Sequence, residues 1–288
     1  MTHGKPATHE RPIHGGVRRP AGAERPIGVF DSGIGGLTVM HALMERLPRE
    51  SLIYFGDTAR VPYGPKSRET VTRFSIENVR LLTSYDVKAV VVACNTATAR
   101  ALPVLREEFD LPIVGVVGPG ARAAVARTTT GRIGVIGTYG TIESGAYRDH
   151  LLAIDADLEV VSRPCPLFVP LAEEGWTDHP VARQIAEEYL APFREDRIDT
   201  LILGCTHYPL LAPVIAEALG PGVTLIDSAE ETAREVATLL AERNLAADGS
   251  EPAHRFLVSD LPELFLRVGQ RFLGGRIGGV EVVAAGSA

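Results

Sequence analysis

The sequence predicts an α/β fold of two similar lobes, each a mostly parallel sheet flanked by helices, with the site in the cleft between them. Three observations lead there. From Ile27 onward short apolar runs alternate with longer amphipathic segments, most of the short runs are apolar on both faces, and one strand–cysteine–helix pattern occurs twice.

Taken in order, IGVF at Ile27 to Phe30 reads as a buried strand that runs into the turn sequence DSGIGG. Further buried strands are expected at Leu52 to Phe55, Ala89 to Ala93, Ile113 to Val116 and Ile133 to Ile136, then at Leu158 to Ser162, Thr200 to Leu203 and Thr224 to Ile226. Between them, Arg68 to Ser84, Thr98 to Phe109, Val181 to Arg194 and Glu230 to Arg243 carry apolar residues at three- and four-residue spacing with charges opposite. These segments are expected to be surface helices. Residues 1 to 25 hold His3, His9 and His14 among polar, Gly and Pro residues without periodicity, so we read them as a flexible leader and assign no metal to them. No element is assigned beyond Arg243.

Composition narrows the function. The chain has 288 residues, 45% hydrophobic and 23% charged, enough apolar material for two cores. No window approaches the roughly 18 apolar residues of a spanning helix, and the first 25 residues lack the apolar stretch of a secretory signal. A cytoplasmic protein without a membrane partner is expected. The net charge of −7, with no dense basic run, argues against nucleic acid as the main partner. Three cysteines, Cys94, Cys165 and Cys205, are too few and too odd in number for a disulfide scaffold.

AVVVACNTAT and TLILGCTHYP are the repeated pattern: an apolar strand, a cysteine, a hydroxyl-bearing or amide residue, then a helix. Cys94 and Cys205 lie 111 positions apart, about one compact domain, so each lobe would contribute one thiol. A strand-to-helix junction offers unpaired N–H groups and the positive end of a helix dipole, which should favour a thiolate at both. Cys165, between two prolines, has no such helix start and is expected to be structural.

Two facing thiols could form a disulfide, bind a metal or exchange a proton. Redox pairs usually stand as close Cys-x-x-Cys, and zinc would need more ligands than His207 adds. Inverting a carbon centre requires an acid and a base that swap roles with direction, a demand that two identical residues meet. Asp31 and His207 are the neighbours expected to tune the thiols; Ser32, Asn95, Thr96, Thr98 and Thr206 could hold a small anion. The DSGIGG turn also suggests a dinucleotide loop, but Thr38 stands where the third glycine belongs, and no Walker loop or Schiff-base lysine is evident. No cofactor is expected.

DSGIGGLTV from 31, GDTARVPYG from 56, ACNTAT from 93 and GCTHYP from 204 together resemble the signature blocks of glutamate racemases, over about residues 26 to 243. The resemblance implies two lobes related by a pseudo-twofold axis, the first formed by 26–117 with 227–288 and the second, inserted, by 118–226. It implies that Cys94 acts on D-glutamate assisted by Asp31, and Cys205 on L-glutamate assisted by His207. Glu173, with Glu174 beside it as the competing alignment, matches the family's further carboxylate. Asp31, Ser32, Tyr63, Gly64, Asn95, Thr96, Thr206 and His207 would touch glutamate, and D-glutamate would feed peptidoglycan synthesis. A homodimer is left open. The alternatives are an aspartate or hydantoin racemase of the same fold, and a two-lobed binder with inert thiols.

Overall fold

The computed structural model describes residues 22–249, 251–273, 275 and 277–285, so residues 1–21 of the expected leader lie outside the described residues. The strands, in chain order, are β1 (Ile27–Asp31), β2 (Leu52–Gly56), β3 (Ala89–Val92), β4 (Ile113–Gly115), β5 (Arg132–Gly137), β6 (Glu159–Pro164), β7 (Thr200–Gly204), β8 (Thr224–Asp227), β9 (His254–Val258) and β10 (Glu281–Val282). They form two sheets, ordered β10-β9-β2-β1-β3-β4 and β6-β5-β7-β8. Every strand pairing among the described residues is parallel.

The two sheets share one topology. In the first, β1 is flanked by β2 and β3 with β4 beyond β3; in the second, β5 is flanked by β6 and β7 with β8 beyond β7. Cys94 follows β3 and Cys205 follows β7, so the two cysteines occupy equivalent places, beyond the carboxyl ends of strands beside the point where strand order reverses. Ligands of open α/β sheets bind at such a point.

Both faces of the first sheet are covered. Val29, Tyr54 and Val91 point into one cluster with Met40, Leu43, Val236 and Phe265, while Phe30, Phe55, Val90 and Val92 point into another with Val79, Ala101 and Leu105. The alternation follows the two-residue period of a strand, and the double burial explains why these strands are apolar throughout. β6 departs from this expectation: it is a sheet edge and every residue in it is exposed or half-buried.

The C-terminal region, left unassigned by the sequence reading, is part of the first sheet and its cover. β9 pairs with β2 from Leu52↔His254 to Gly56↔Val258, and the Pro262–Leu273 helix lays Phe265, Val268 and Phe272 on the core beneath. Two further expectations are corrected. The helix after β3 starts at Asn95, not Thr98, because Cys94 itself caps it, its sulfur accepting the Ala97 N–H at 3.4 Å. After β7 no long helix follows at once: Cys205 leads into a short 3-10 turn, Tyr208–Leu211, and only then the Ala212–Leu219 helix.

Candidate active site

On the first-lobe side Cys94, Asp31 and Ser32 are gathered where β1 and β3 end. Cys94 lies 3.6 Å from Ser32 Oγ and is 6% exposed. Asp31 is fully buried at the end of β1, its Oδ2 accepting the Gly33 N–H at 2.9 Å. It closes the strand, and the helix that follows is capped at Gly36. A side chain at Gly36 would strike Asp31 Cβ at 2.5 Å, so glycine is required where the turn folds back on the carboxylate.

The thiolate expected at Cys94 is not what the environment favours. Burial pushes this thiol up to about 12, and the nearby Asp31 carboxylate adds to the rise against the N–H of Ala97 and the hydroxyl of Ser32. One sulfur-directed N–H and the first turn of a helix do not offset removal from water beside an anion. Cys94 rests as a thiol. Cys205 is among the groups that raise it, so the two sulfurs sense each other across the cleft.

Cys205 is dressed differently. His207 Nδ1 stands 3.8 Å from its sulfur, and the other ring nitrogen, Nε2, meets Glu173 Oε1 at 2.9 Å. Burial opposes the charged imidazole, but the hydrogen bonds to the Cys205 sulfur and to Glu173 outweigh it and lift His207 to about 10. The histidine is therefore an imidazolium at neutral pH, with an N–H directed at the sulfur and another at a carboxylate. This contact separates Glu173 from its neighbour, for Glu174 is exposed at the end of the same helix, Phe168–Glu174. Asp31 is raised by burial and held back by the charge of His207 and the N–H groups of Gly33, Gly36 and Ser32, so the two sides are also linked electrostatically.

Several contacts hold the lobes together at the cleft. Thr96 Oγ1 lies 2.9 Å from Thr138 Oγ1 and 3.2 Å from Thr141 Oγ1, and Thr38 Oγ1 donates to the Thr206 carbonyl at 3.3 Å. The Gly64 carbonyl accepts the Gly140 N–H at 2.9 Å, which seats the loop carrying Tyr63 and Gly64 on the second lobe. The Tyr63 hydroxyl is engaged elsewhere: it donates to Asp57 and accepts from Asn78 at 3.1 Å. Thr98, considered for anion binding, spends its hydroxyl on the Val92 carbonyl at 2.9 Å and the Val116 N–H at 3.4 Å. Cys165 is buried in the second lobe's core, in the same cluster as Cys205, and its carbonyl accepts the Tyr208 hydroxyl at 2.8 Å.

Two buried polar atoms near Cys94 have no partner: Asp31 Oδ1, an acceptor, and Asn95 Nδ2, a donor. Buried polar atoms are ordinarily paired, and this couple matches an ammonium and a carboxylate. Among the described residues no cluster of three or more His, Cys, Asp or Glu side chains could hold a metal. Nor is any helix among them long and apolar enough to cross a membrane.

The Asp/Glu/Hydantoin racemase family matches residues 27–236. The chain belongs to that family. Among its racemase relatives, the glutamate racemase of Geobacter metallireducens is 57% identical over 261 residues, which is 90% of this chain and 97% of that protein. The crystal structure of a glutamate racemase isoform from Bacillus anthracis superposes with a TM-score of 0.89 at 45% identity, covering 92% of this chain and 100% of the other. That of the Francisella tularensis glutamate racemase in complex with D-glutamate does so with a TM-score of 0.87 at 40% identity and the same coverage. The two-lobed architecture is thus that of the racemase fold. Sequence reasoning missed Thr138, Thr141 and Tyr147, which reach the cleft from the second lobe without any motif around them.

Proposed function

We propose that this chain interconverts L- and D-glutamate without a cofactor, using Cys94 and Cys205 as the two acid/base groups. The observation that supports it best is the opposite dressing of two equivalent cysteines: Cys94 is held as a thiol beside Asp31, while Cys205 faces the N–H of a cationic His207. One sulfur keeps a proton to give and the other faces a cationic imidazole N–H, an asymmetry suited to reaction from L-glutamate.

In that direction the Cys205 sulfur takes the proton from Cα, and the electron pair left on carbon is spread into the α-carboxylate. Cys94 then delivers its own proton to the opposite face, giving D-glutamate, a thiolate at Cys94 and a thiol at Cys205. The reverse reaction exchanges these roles. His207, buttressed by Glu173, meets charge at Cys205, and Asp31 sits by Cys94 with an unpaired oxygen for the substrate ammonium. Ser32, Asn95, Thr96 and Thr206, with the backbone of Tyr63 and Gly64, would complete the contacts to glutamate. In this reading the lobes are 26–117 with 227–288 and 118–226, and the cytoplasmic product supplies peptidoglycan synthesis.

Incubation with each glutamate enantiomer in deuterated water is the test. Solvent deuterium should appear at Cα with the wild-type protein and not with Cys94→Ala or Cys205→Ala. Turnover of aspartate alone would overturn the substrate, and wash-in that survives both substitutions would overturn the two-thiol chemistry.

A further inference from the structure

Tyr147 lies in the Ala146–Ile154 helix of the second sheet's lobe, is 3% exposed, and has no place in the chemistry described above. Its hydroxyl crosses to the other lobe and donates to Asn95 Oδ1 at 2.6 Å. Behind it stands Ser228, the first residue of the Ser228–Glu242 helix and 4% exposed; burial pushes the Tyr147 phenol up, and the Ser228 hydroxyl works against that rise. A phenol has a single proton. That proton is used on Asn95, which leaves the phenol oxygen an acceptor toward the neighbouring Ser228.

The consequence falls on the far end of the amide. Were the Asn95 amide turned over, the Tyr147 hydroxyl would have to give up its bond to Oδ1 and turn its proton elsewhere. The observed orientation leaves Nδ2 buried and without a partner, on the residue next to Cys94. The space around the phenol is also fixed, since a Cβ at Gly120 would come within 3.4 Å of the Tyr147 hydroxyl and 3.1 Å of Ser228 Cβ.

We propose that Tyr147 is a positioning residue for the racemisation: its hydroxyl holds the Asn95 amide in the one orientation that keeps the Nδ2 protons for a substrate carboxylate. The substrate part of this inference rests on the glutamate reading. The orientation part does not. Ser228, beside the phenol, begins the segment that returns from the second sheet to the first lobe, so Tyr147 stands between that crossover and the Asn95 amide.

The chain contains three asparagines, Asn78, Asn95 and Asn244, so protein labelled with 15N at asparagine gives a simple set of side-chain NH2 signals. Tyr147→Phe keeps the ring and removes only the hydroxyl. Its Asn95 NH2 pair, identified by its loss in Asn95→Ala, should shift or broaden while those of Asn78 and Asn244 stay in place. Kinetically, Tyr147→Phe should raise KM for glutamate about tenfold with kcat changed less than about threefold, the signature of lost binding common to ground and transition states. Added to Asn95→Ala it should change kcat/KM less than about twofold, because its effect passes through the amide. Multiplicative losses in the double variant, or an Asn95 signal unmoved by Tyr147→Phe, would overturn the proposal. If Tyr147→Phe does not fold, Ser228→Ala removes the hydroxyl behind the phenol, and the same Asn95 signal should move; an unmoved one counts against the inference. A wild-type protein inactive on glutamate defeats the proposed reaction, while the NMR signal still decides the role of Tyr147.

Discussion

A side chain at Gly35 would place its Cβ 2.5 Å from both Nδ1 and Cε1 of His207, and closer still to Thr206 Oγ1. The glycine turn after β1 is therefore pressed against the two residues that follow Cys205, and the lobes meet there with room for a hydrogen only. This contact gives the DSGIGG turn a purpose that needs no nucleotide: it lets one lobe's backbone lie against His207 of the other.

Gly35→Ala should consequently displace His207 without unfolding either sheet. Misplacement of a reacting group by about 1 Å can cost about a hundredfold in rate, so kcat/KM should drop by roughly that factor. Circular dichroism should remain that of the wild type. Wild-type kinetics in Gly35→Ala would show that the lobes can part at no cost and that the contact does not set the site.

His207 predicts a pH dependence with a definite sign. Its value rises from 6.5 in an unstructured chain to about 10 in the fold, so the stability gained from the charged ring is complete below pH 6.5 and disappears as pH climbs through about 10. Thermal melts of wild type and His207→Asn should differ most at pH 6 and converge toward pH 10. A gap that widens in that range would mean that the histidine is neutral in the folded protein.

The loop bearing Tyr63 and Gly64 hangs on a buried carboxylate. Asp57 is fully buried; it accepts Arg60 Nε on both oxygens at 2.9 and 2.7 Å, the Tyr63 hydroxyl, and Ser259 Oγ at 3.1 Å. In Asp57→Asn an amide NH2 would confront the guanidinium and lose a charge-assisted bond, a change worth about 2 kcal/mol. The urea midpoint should fall at unchanged slope, with a higher KM for glutamate. An unaltered midpoint would indicate that Arg60 is satisfied by Glu77 and Asn78 without Asp57.

How much of this could be read beforehand depends on the range of the forces involved. The strands from β1 to β8 were legible to within two residues because all but the edge strands β6 and β8 are buried on both faces and must be apolar. β9 was not, since HRFLV opens on two half-buried polar residues and lies in the sequence far from its partner β2. The equivalent places of the cysteines were legible from the repeat, but their surroundings were not: the same strand-to-helix setting puts a carboxylate beside Cys94 and a histidine beside Cys205. Glu173 could be told from Glu174 only by the helical position that brings it to His207. Tyr147 left no trace, because its bond to Asn95 joins residues from different lobes and AYRDHL reads as an ordinary surface helix.

A last prediction concerns how the ends of the first lobe are fastened. Lys88 is buried beneath the sheet beside Glu50, and its ammonium also donates to the Ala23 and Leu245 carbonyls, while Glu50 Oε1 accepts the Ala247 N–H at 2.8 Å. Chain from before β1, from before β2, from before β3 and from after the Ser228–Glu242 helix is thus tied at one point. Removing one charge of a buried pair strands the other, at about 3 to 5 kcal/mol, whereas removing both can be nearly neutral. Lys88→Met should therefore unfold at markedly lower urea, and Lys88→Met with Glu50→Leu should recover most of the loss. The recovery will stay incomplete, because the three backbone groups that the pair satisfies would remain without their partners. A double variant no better than Lys88→Met alone would mean that those backbone bonds, and not the stranded carboxylate, dominate at this knot.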